Sequence, residues 1–313
     1  MTQQRPFRFG IQGRTTGPGN QWLAMVRRCE ELGHSSFLAL DHFVRGLDPI
    51  AATAAAAAIT TNLRVGSIVF DNDFRHPAIL AKAVASIDVI SGGRFELGLG
   101  AGWLKEEYDQ SGIPFDPVGV RIERMVEALR LMMQTFVEER MTFHGAHYHV
   151  TDLQLPPKPV QQPHPPIMLG GGGKRILSIA AREADIVSIT NRANPDGSKD
   201  NQDLIAEATD RKLAWIREAA GERFPKIELN AMCSTVVVTR DRAREAERLA
   251  SEFGLTPEQV LGSPIMLVGT VDQMVEALLA RRERWGFSYV VVTIPFPRSR
   301  GEARIRRNRY RRK

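Results

Sequence analysis

Residues 63–103 read LRVGSIVFDNDFRHPAILAKAVASIDVISGGRFELGLGAGW and contain one complete strand–helix–strand unit. Leu63–Phe70 is a short, mostly apolar run and is predicted to be a strand. Pro77 opens a helix whose apolar residues recur every three or four positions, and Gly92-Gly93 ends it. Arg94–Leu99 is the next strand. Apolar strands joined by a helix are typical of a parallel sheet that is covered on both faces.

The same alternation continues on both sides of this unit. The other strand-like runs are Phe7–Ile11, Phe37–Leu40, Ile167–Leu169, Asp185–Thr190, Ile227–Val238 and Phe287–Ile294. Eight strand–helix units in about 290 residues match the size of a (β/α)₈ barrel, an α/β fold also called the TIM barrel. A doubly wound sheet is the competing interpretation, and it is weaker because no G-x-G-x-x-G follows the first strand.

Residues 140–166 interrupt this rhythm and are predicted to be an insertion over the top of the barrel. Thr142–Val150 is a possible hairpin, and six prolines then impose an extended course. His144, His147 and His149 lie in the hairpin, but no second ligand cluster accompanies them. We therefore interpret these histidines as loop residues and expect no metal site.

Composition limits the function classes. The chain is 43% apolar and 25% charged, which is typical of a globular protein, and no apolar run approaches the roughly 20 residues of a membrane helix. The first ten residues lack the apolar segment of a signal peptide, so a cytoplasmic protein is expected. Cys29 and Cys233 lie in apolar patterns and are predicted to be buried free thiols.

The net charge of +6 is concentrated at the end of the chain. Residues 298–313 carry nine Lys or Arg and one Glu, hence +8, which leaves −2 for the rest. Residues 1–297 are predicted from the strand–helix alternation to form a single barrel domain. Because their net charge is slightly negative, this domain is not expected to bind nucleic acid. Residues 298–313 are predicted to be a disordered basic tail, and weak polyanion binding by this tail is one alternative function.

Function in such a barrel is expected in the loops after the strands. Asp41 and His42 follow the second strand. Histidine ordinarily changes charge near neutral pH, which makes His42 the candidate general acid or base. Side chains alternate along a strand, so Asp41 and His42 should point in different directions and are not expected to form a dyad.

A run of four glycines, Gly170–Gly173, leads directly into a predicted helix. Glycines let the backbone approach a ligand closely, and a helix N-terminus presents free N–H groups and the positive end of its dipole. Lys174 and Arg175 add positive charge. This turn is therefore predicted to bind a phosphate group, in preference to being a plain tight turn.

Five segments together resemble the luciferase-like monooxygenase superfamily, and specifically its F420-dependent oxidoreductases. The resemblance extends from Phe7 to about Ile294. The segments are LALDHF (38–43), LRVGSIVFDNDFRHP (63–77), DVISGGRFELGLGAGW (88–103), PPIMLGGGGKRILSIAAREAD (165–185) and LVGT (267–270).

This resemblance implies a site for a flavin-type cofactor, either coenzyme F420 or FMN. It implies that Ser67, Ile68 and Val69 form a bulge that supports the cofactor ring, with a cis peptide between Ile68 and Val69. It further implies that Asp41 and His42 lie near the ring. The remaining cofactor-binding residues that it suggests are Gly102, Glu106, Gly172 and Gly173.

Trp103 departs from one branch of the family, in which a glutamate acid follows the Gly-x-Gly turn. The acid role is then vacant or moves to His42 or Glu107, and a sugar-phosphate substrate is disfavoured. An apolar or aromatic substrate pocket is expected instead. Its predicted lining is Phe43, Phe70, Trp103, Tyr108 and Arg192.

The predicted activity is hydride transfer between the deazaflavin of F420 and a small organic substrate. One alternative is an FMN-dependent monooxygenase of the same fold that works with a partner reductase. A second alternative is a non-catalytic flavin-binding protein. The resemblance also implies a homodimer.

Overall fold

The computed structural model describes residues 5–13, 19–44, 46–194 and 198–294. Its main sheet is parallel and has the strand order β3-β2-β1-β13-β10-β9-β8-β5-β4, and an additional pairing of β3 with β5 closes the barrel. The strands of this sheet are β1 (Arg8–Gly13), β2 (Ser36–Ala39), β3 (Arg64–Ser67), β4 (Phe70–Asp71), β5 (Phe95–Gly100), β8 (Ile167–Gly171), β9 (Ile186–Ile189), β10 (Glu228–Cys233) and β13 (Phe287–Ile294). The predicted (β/α)₈ barrel is confirmed, with β3 and β4 together forming one of its eight staves.

Helices connect these strands and cover the outside of the barrel. They are α1 (Gly19–Glu31), α2 (Pro49–Ile59), α3 (Pro77–Ser91), α4 (Lys105–Ser111), α5 (Val118–Val137), α6 (Lys174–Glu183), α7 (Ala206–Ala220), α8 (Arg242–Phe253), α9 (Pro257–Gly262) and α10 (Val271–Trp285). Short 3₁₀ turns lie at Asn72–Phe74, Asn201–Leu204 and Gly221–Lys226. Of the helices in the described ranges, none is long and apolar enough to cross a membrane.

Local sequence signals fix where several helices begin and end. The side chain of Asp48 caps α2, and Pro49 occupies its first turn. Thr270 and Gln273 form a capping box at the start of α10. Gly92 ends α3 in the left-handed conformation.

The main core lies between the barrel strands and the inner faces of the helices. Every residue of β5 is buried, as expected for a parallel strand that is covered on both faces. The predicted stripe of α3 packs into this core through Leu80, Val84 and Ile87. Cys29 and Cys233 are buried and free, as predicted.

One predicted strand is divided in the structure. Ile227–Val238 was expected to be a single strand, but only β10 belongs to the barrel. β11 (Thr235–Val238) alternates between exposed and half-buried residues and pairs instead with β12 (Met266–Gly269), outside the barrel. A run of apolar residues does not show by itself where a strand leaves one sheet and joins another.

The insertion contains the predicted hairpin, formed by β6 (Arg140–His144) and β7 (His149–Gln154). Met141 and Tyr148 pack against Ala128 and Leu131 of α5. The hairpin thus lies against α5, and the Tyr148 hydroxyl also accepts a hydrogen bond from Asn72 in the loop after β4. Within the described ranges, no group of three or more potential ligands is arranged to hold a metal ion.

A cluster of buried charges fills the N-terminal end of the barrel. Glu96 accepts hydrogen bonds from Arg8 at 2.7 Å and from Arg64 at 2.6 Å. Arg8 also forms a two-pronged ion pair with Glu228, and its guanidinium lies 3.8 Å from the ring centroid of Tyr289. The hydroxyl of Tyr289 donates to Glu96, so this end of the barrel is closed by paired groups.

Candidate active site

The opposite end of the barrel places His42 beside a buried carboxylate. His42 follows β2, and its Nδ1 lies 2.7 Å from Oε2 of Glu107 on α4. The other oxygen of Glu107 accepts the backbone N–H of Val44. Glu107 is 1% exposed, whereas the His42 side chain is 14% exposed. A carboxylate at Nδ1 holds the proton on that nitrogen, which leaves Nε2 as the atom that can exchange a proton.

Asp41 has a different set of partners from its neighbour. Its carboxylate binds Arg75 through both oxygens and accepts the backbone N–H of Asp71 at 2.9 Å. The expectation that Asp41 and His42 form no dyad agrees with these contacts. Asp41 is buried and paired with Arg75, so it joins the loops after β2 and β4, and its proximity to a cofactor ring stays a prediction.

A second buried network lies below the loop that follows β5. The hydroxyl of Tyr108 donates to both oxygens of Asp71 at 2.9 Å, and Asp73 donates its backbone N–H to the same carboxyl. Burial raises the pKa of Asp71 to about 7, and the nearby charges of Asp73 and Asp41 add to this rise. Asp73 is itself paired with Arg124.

This network corrects two of the predicted pocket residues. Tyr108 is 1% exposed and Phe70 is fully buried, so both lie beneath the site and do not line a substrate pocket. Gly102 lies directly above them with a φ of +70°, and a side chain there would collide with the Tyr108 hydroxyl. The glycine is therefore required by packing, while its contact with a cofactor remains a prediction.

Trp103 occupies the mouth of the barrel next to His42. The two rings meet edge to face with 6.0 Å between centroids. The ammonium of Lys199 lies 4.3 Å from the centroid of the indole. Phe43 is exposed at the rim, and its ring centroid lies 4.5 Å from that of Phe74. Lys199 was not among the predicted site residues, because a lone lysine in a long loop has no distinguishing pattern.

Two further predicted residues lie at the rim. Glu106 is exposed on α4 and accepts a hydrogen bond from Gln110, while the adjacent Glu107 points inward. The contact of Glu106 with a cofactor ring stays a prediction. Arg192 donates its backbone N–H to Asp203, and its exposed side chain is paired with Asp200 at 3.3 Å.

The Ser67–Val69 segment has the geometry that the resemblance implied. The peptide bond between Ile68 and Val69 is cis, and it separates β3 from β4. Ser67 donates its hydroxyl to the carbonyl of Gly98 and accepts the backbone N–H of Phe70. The segment is therefore fixed to β5 on the side of the barrel next to His42.

The glycine turn after β8 fits a phosphate group. Gly173 precedes α6 and has no side chain to cap the first N–H groups of that helix. Apart from its chain neighbours, no atom of the described residues lies within 4 Å of the position that a Cβ of Gly173 would take, so there is space beside this glycine. Gly172, by contrast, packs so closely on the backbone of Arg192 that a Cβ would collide with it.

A parallel (β/α)₈ barrel with an acid–base pair, a glycine turn and a cis bulge at its strand ends defines a class of cofactor-dependent enzymes. Residues 5–260 match the family model described as luciferase-like monooxygenase. The chain belongs to this family.

Relatives within the family use different cofactors. The chain is 31% identical over 210 residues to the FMNH(2)-dependent dimethylsulfone monooxygenase of Pseudomonas putida, an alignment covering 66% of this chain and 54% of that enzyme. It is 30% identical over 267 residues to the F420-dependent glucose-6-phosphate dehydrogenase of Kineococcus radiotolerans, covering 82% and 76% respectively. The chain spans about half the length of several curated relatives that it matches.

A solved structure shows the same fold at lower identity. The coenzyme F420-dependent tetrahydromethanopterin reductase of Methanopyrus kandleri superposes with a TM-score of 0.73, at 19% identity and with 96% of each chain covered. F420-dependent enzymes and FMN-dependent monooxygenases are thus both among the relatives, and a flavin-type cofactor is common to them.

Proposed function

We propose that this protein is an F420-dependent oxidoreductase that transfers a hydride between the deazaflavin and a small organic substrate. The observation that carries this proposal is the 2.7 Å contact between His42 and Glu107 at the mouth of the barrel. Hydride transfer to or from an alcohol or carbonyl group requires a matching proton transfer at oxygen. A histidine whose Nδ1 is held by a buried carboxylate is suited to that step.

The residues that would hold the cofactor surround this pair. The glycine turn at Gly172 and Gly173, together with the start of α6, would bind the cofactor phosphate. The Ser67–Val69 bulge would support one face of the ring system, as the resemblance implies. When bound, the cofactor supplies the hydride chemistry, and the protein contributes its position and surroundings.

The role of His42 in this proposal is to exchange a proton with the substrate through Nε2. Glu107 keeps Nδ1 protonated and stabilises the ring when it becomes positively charged. Trp103 covers one side of His42 and limits its contact with water. His42→Ala should therefore lower turnover strongly and leave cofactor affinity unchanged, and an equal loss of both would contradict this role.

The first experiment is a titration of the purified protein with oxidised F420 and, separately, with FMN, followed by tryptophan fluorescence. The proposal predicts saturable F420 binding and at least about tenfold weaker FMN binding, since the two ligands share the phosphate but not the ring. The reverse preference would contradict F420 dependence. Binding of neither cofactor would contradict a flavin-type enzyme.

The second candidate function is an FMN-dependent monooxygenase supplied by a separate flavin reductase. The relative of 31% identity that uses FMNH(2) favours it. Assays with reduced FMN and oxygen, and with reduced F420, separate the two candidates. A protein that binds a flavin and turns over with neither would be the non-catalytic alternative.

We also propose that the protein forms a homodimer. Apolar side chains on α3 support this, since Ile79 is 63% and Ile90 is 55% exposed in the single chain. Light scattering on the purified protein tests this proposal, and a molar mass near that of one chain, 34.9 kDa, would contradict it.

A further inference from the structure

Lys199 is a charged residue at the mouth of the barrel that the proposed function has not used. It lies in the loop between β9 and α7, where its backbone forms an isolated antiparallel β-bridge with Ala193. Next to this bridge, Asp200 donates its backbone N–H to the carbonyl of Arg192 at 2.9 Å. These contacts hold the backbone of Lys199 in place and direct its ammonium onto the indole of Trp103.

The surroundings of Lys199 differ from those of the neighbouring Lys212. Lys212 pairs with Asp203 at 2.6 Å and donates to two backbone carbonyls. Among the described residues, no carboxylate lies within ion-pair distance of the Lys199 ammonium, which has only the face of Trp103. Burial, with the charge of Lys212, lowers the pKa of Lys199 to about 8. Because buried charges in proteins are usually paired, a partly buried ammonium without a carboxylate partner is suited to bind an anionic ligand.

Three other cations near the mouth already have acidic partners. Arg192 is paired with Asp200, Arg175 with Glu123 at 2.6 Å, and Lys174 lies 3.6 Å from Glu218. Lys199 differs from these three because, among the described residues, it has no carboxylate partner.

Trp103 connects this ammonium to the proton-exchanging histidine. His42 meets the indole at 6.0 Å between centroids and Lys199 meets it at 4.3 Å from the ring centroid. A small molecule that reacts beside His42 and extends along the indole would bring its other end to Lys199. One unpaired positive charge matches a singly charged carboxylate better than a phosphate dianion, which is usually held by several donors or cations.

We propose that Lys199 is a specificity-determining residue that binds the carboxylate of a small carboxylate-bearing substrate alongside Trp103. This inference rests on the proposed function for the reaction at His42, but it makes its own statement about the substrate. Lys199 binds the carboxylate end, Trp103 contacts the apolar middle, and His42 meets the reacting oxygen.

The test is a titration of the full-length protein with three probes at constant ionic strength and pH 7, followed by tryptophan fluorescence. The probes are butyrate, its uncharged analogue butyramide, and inorganic phosphate. Butyrate should bind saturably and at least about tenfold more tightly than either of the others, because one charge-assisted hydrogen bond discriminates to this degree. Equal binding of butyrate and butyramide, or tighter binding of phosphate, would overturn the proposal.

Variants assign any binding to this site. Lys199→Met should weaken butyrate binding about tenfold or more, and Lys199→Arg should retain most of it. Trp103→Phe should remove most of the fluorescence change. Lys226→Met is the matched control, since Lys226 is exposed at the other end of the barrel. Wild-type affinity for butyrate in Lys199→Met would overturn the proposal.

The outcome can be separated from that of the proposed function because the probes need no cofactor. If butyrate binding depends on Lys199 while neither F420 nor FMN binds, the carboxylate site stands and the proposed function is wrong. If Lys199→Met weakens F420 binding and leaves butyrate binding unchanged, the ammonium serves the cofactor and the present proposal is wrong.

Discussion

The two ends of the barrel are both rich in charge but treat it differently. At the N-terminal end, Glu96 lies between Arg8 and Arg64 and also accepts the hydroxyl of Tyr289. At the C-terminal end, the Lys199 ammonium lies over an indole and has no carboxylate partner in the part of the chain that the structure describes, while the carboxyl of Asp71 is held by a tyrosine hydroxyl and a backbone N–H. One end neutralises its charges internally, and the other leaves some of them for a ligand.

This difference shows which charges serve stability and which serve function. Buried ion pairs at the N-terminal end need no ligand, so removing one partner should affect folding alone. Residues that face the mouth at the C-terminal end lie on loops after the strands, where changes should affect binding or turnover first, whereas buried residues there, such as Gly172 and Asp71, also affect stability. The predictions below test this division, beginning with the largest expected effect.

Glu96→Gln should lower the free energy of unfolding by about 3 kcal/mol, because Arg64 loses its carboxylate partner at the half-buried end of the barrel while Arg8 keeps only Glu228. Urea denaturation measures this loss, with Glu258→Gln at an exposed helix start as the control. The folded fraction should bind cofactor with unchanged affinity. A stable variant with impaired cofactor binding would break the division between the two ends.

Gly172→Ala should lower the free energy of unfolding by about 1–3 kcal/mol, since the new methyl group would collide with the backbone of Arg192. Gly173→Ala is the matched variant, because among the residues that the structure describes none but its chain neighbours comes within 4 Å of its Cβ position. Thermal unfolding compares the two.

The same pair also tests the phosphate turn. If the cofactor phosphate lies against Gly173, both variants should lose cofactor affinity, although only Gly172→Ala loses stability. Normal cofactor binding by Gly173→Ala would show that the phosphate lies elsewhere.

Glu107→Gln should reduce turnover at least about tenfold, which is part of the 10²–10⁴-fold that a positioned acid or base contributes. The amide can still accept a hydrogen bond from Nδ1 of His42, but it cannot stabilise a positive charge on the ring. Steady-state kinetics should show the loss in kcat with little change in KM.

Asp109→Asn is the control for this measurement, because Asp109 lies on the same helix but is exposed and paired with Lys105. It should leave kcat unchanged. A loss of cofactor affinity in Glu106→Gln would support the ring contact that the resemblance implies for this residue. Equal losses of kcat in Glu107→Gln and in the exposed control variant would contradict a specific role for Glu107.

The barrel could be predicted because its signals are local and repeated. The apolar run of β5 and the helical stripe of α3 each identify one element, and their alternation identifies the fold. The division between β10 and β11 could not be predicted, since it depends on β12, which begins more than 25 residues later.

The candidate site could be predicted only in part, because it too depends on contacts between distant segments. Position after a strand was enough to select His42 and the glycine turn. The partners of those residues come from distant segments, as Glu107 is 65 positions from His42. Tyr108 and Phe70 were assigned to the pocket because aromatic residues near strand ends suggest a lining, and burial beneath a loop is visible only in three dimensions. Residues 298–313, predicted to be disordered, lie outside the described residues.

A further expected effect is a pH dependence of stability through Asp71. Its pKa is raised by burial from 3.8 to about 7, so between these values the folded protein holds a proton that the unfolded chain has lost. This contribution to stability is fully present below about pH 3.8 and is lost as the pH rises to about 7. The slope cannot exceed about 1.4 kcal/mol per pH unit for one proton.

Asp71→Asn should flatten this slope, because an amide does not titrate and can still accept the Tyr108 hydroxyl. Urea denaturation at pH 5, 6, 7 and 8 measures it, and the expected sign is a wild-type stability that falls relative to the variant up to about pH 7 and then stays level. No such change is expected from Glu96→Gln in this range, since its loss comes from weaker pairing of guanidinium groups that remain charged throughout. If wild type and Asp71→Asn keep a constant difference from pH 5 to pH 8, Asp71 is ionised throughout. The contrast between a charge-neutralised end and an end with unbalanced groups would then rest on Lys199 alone.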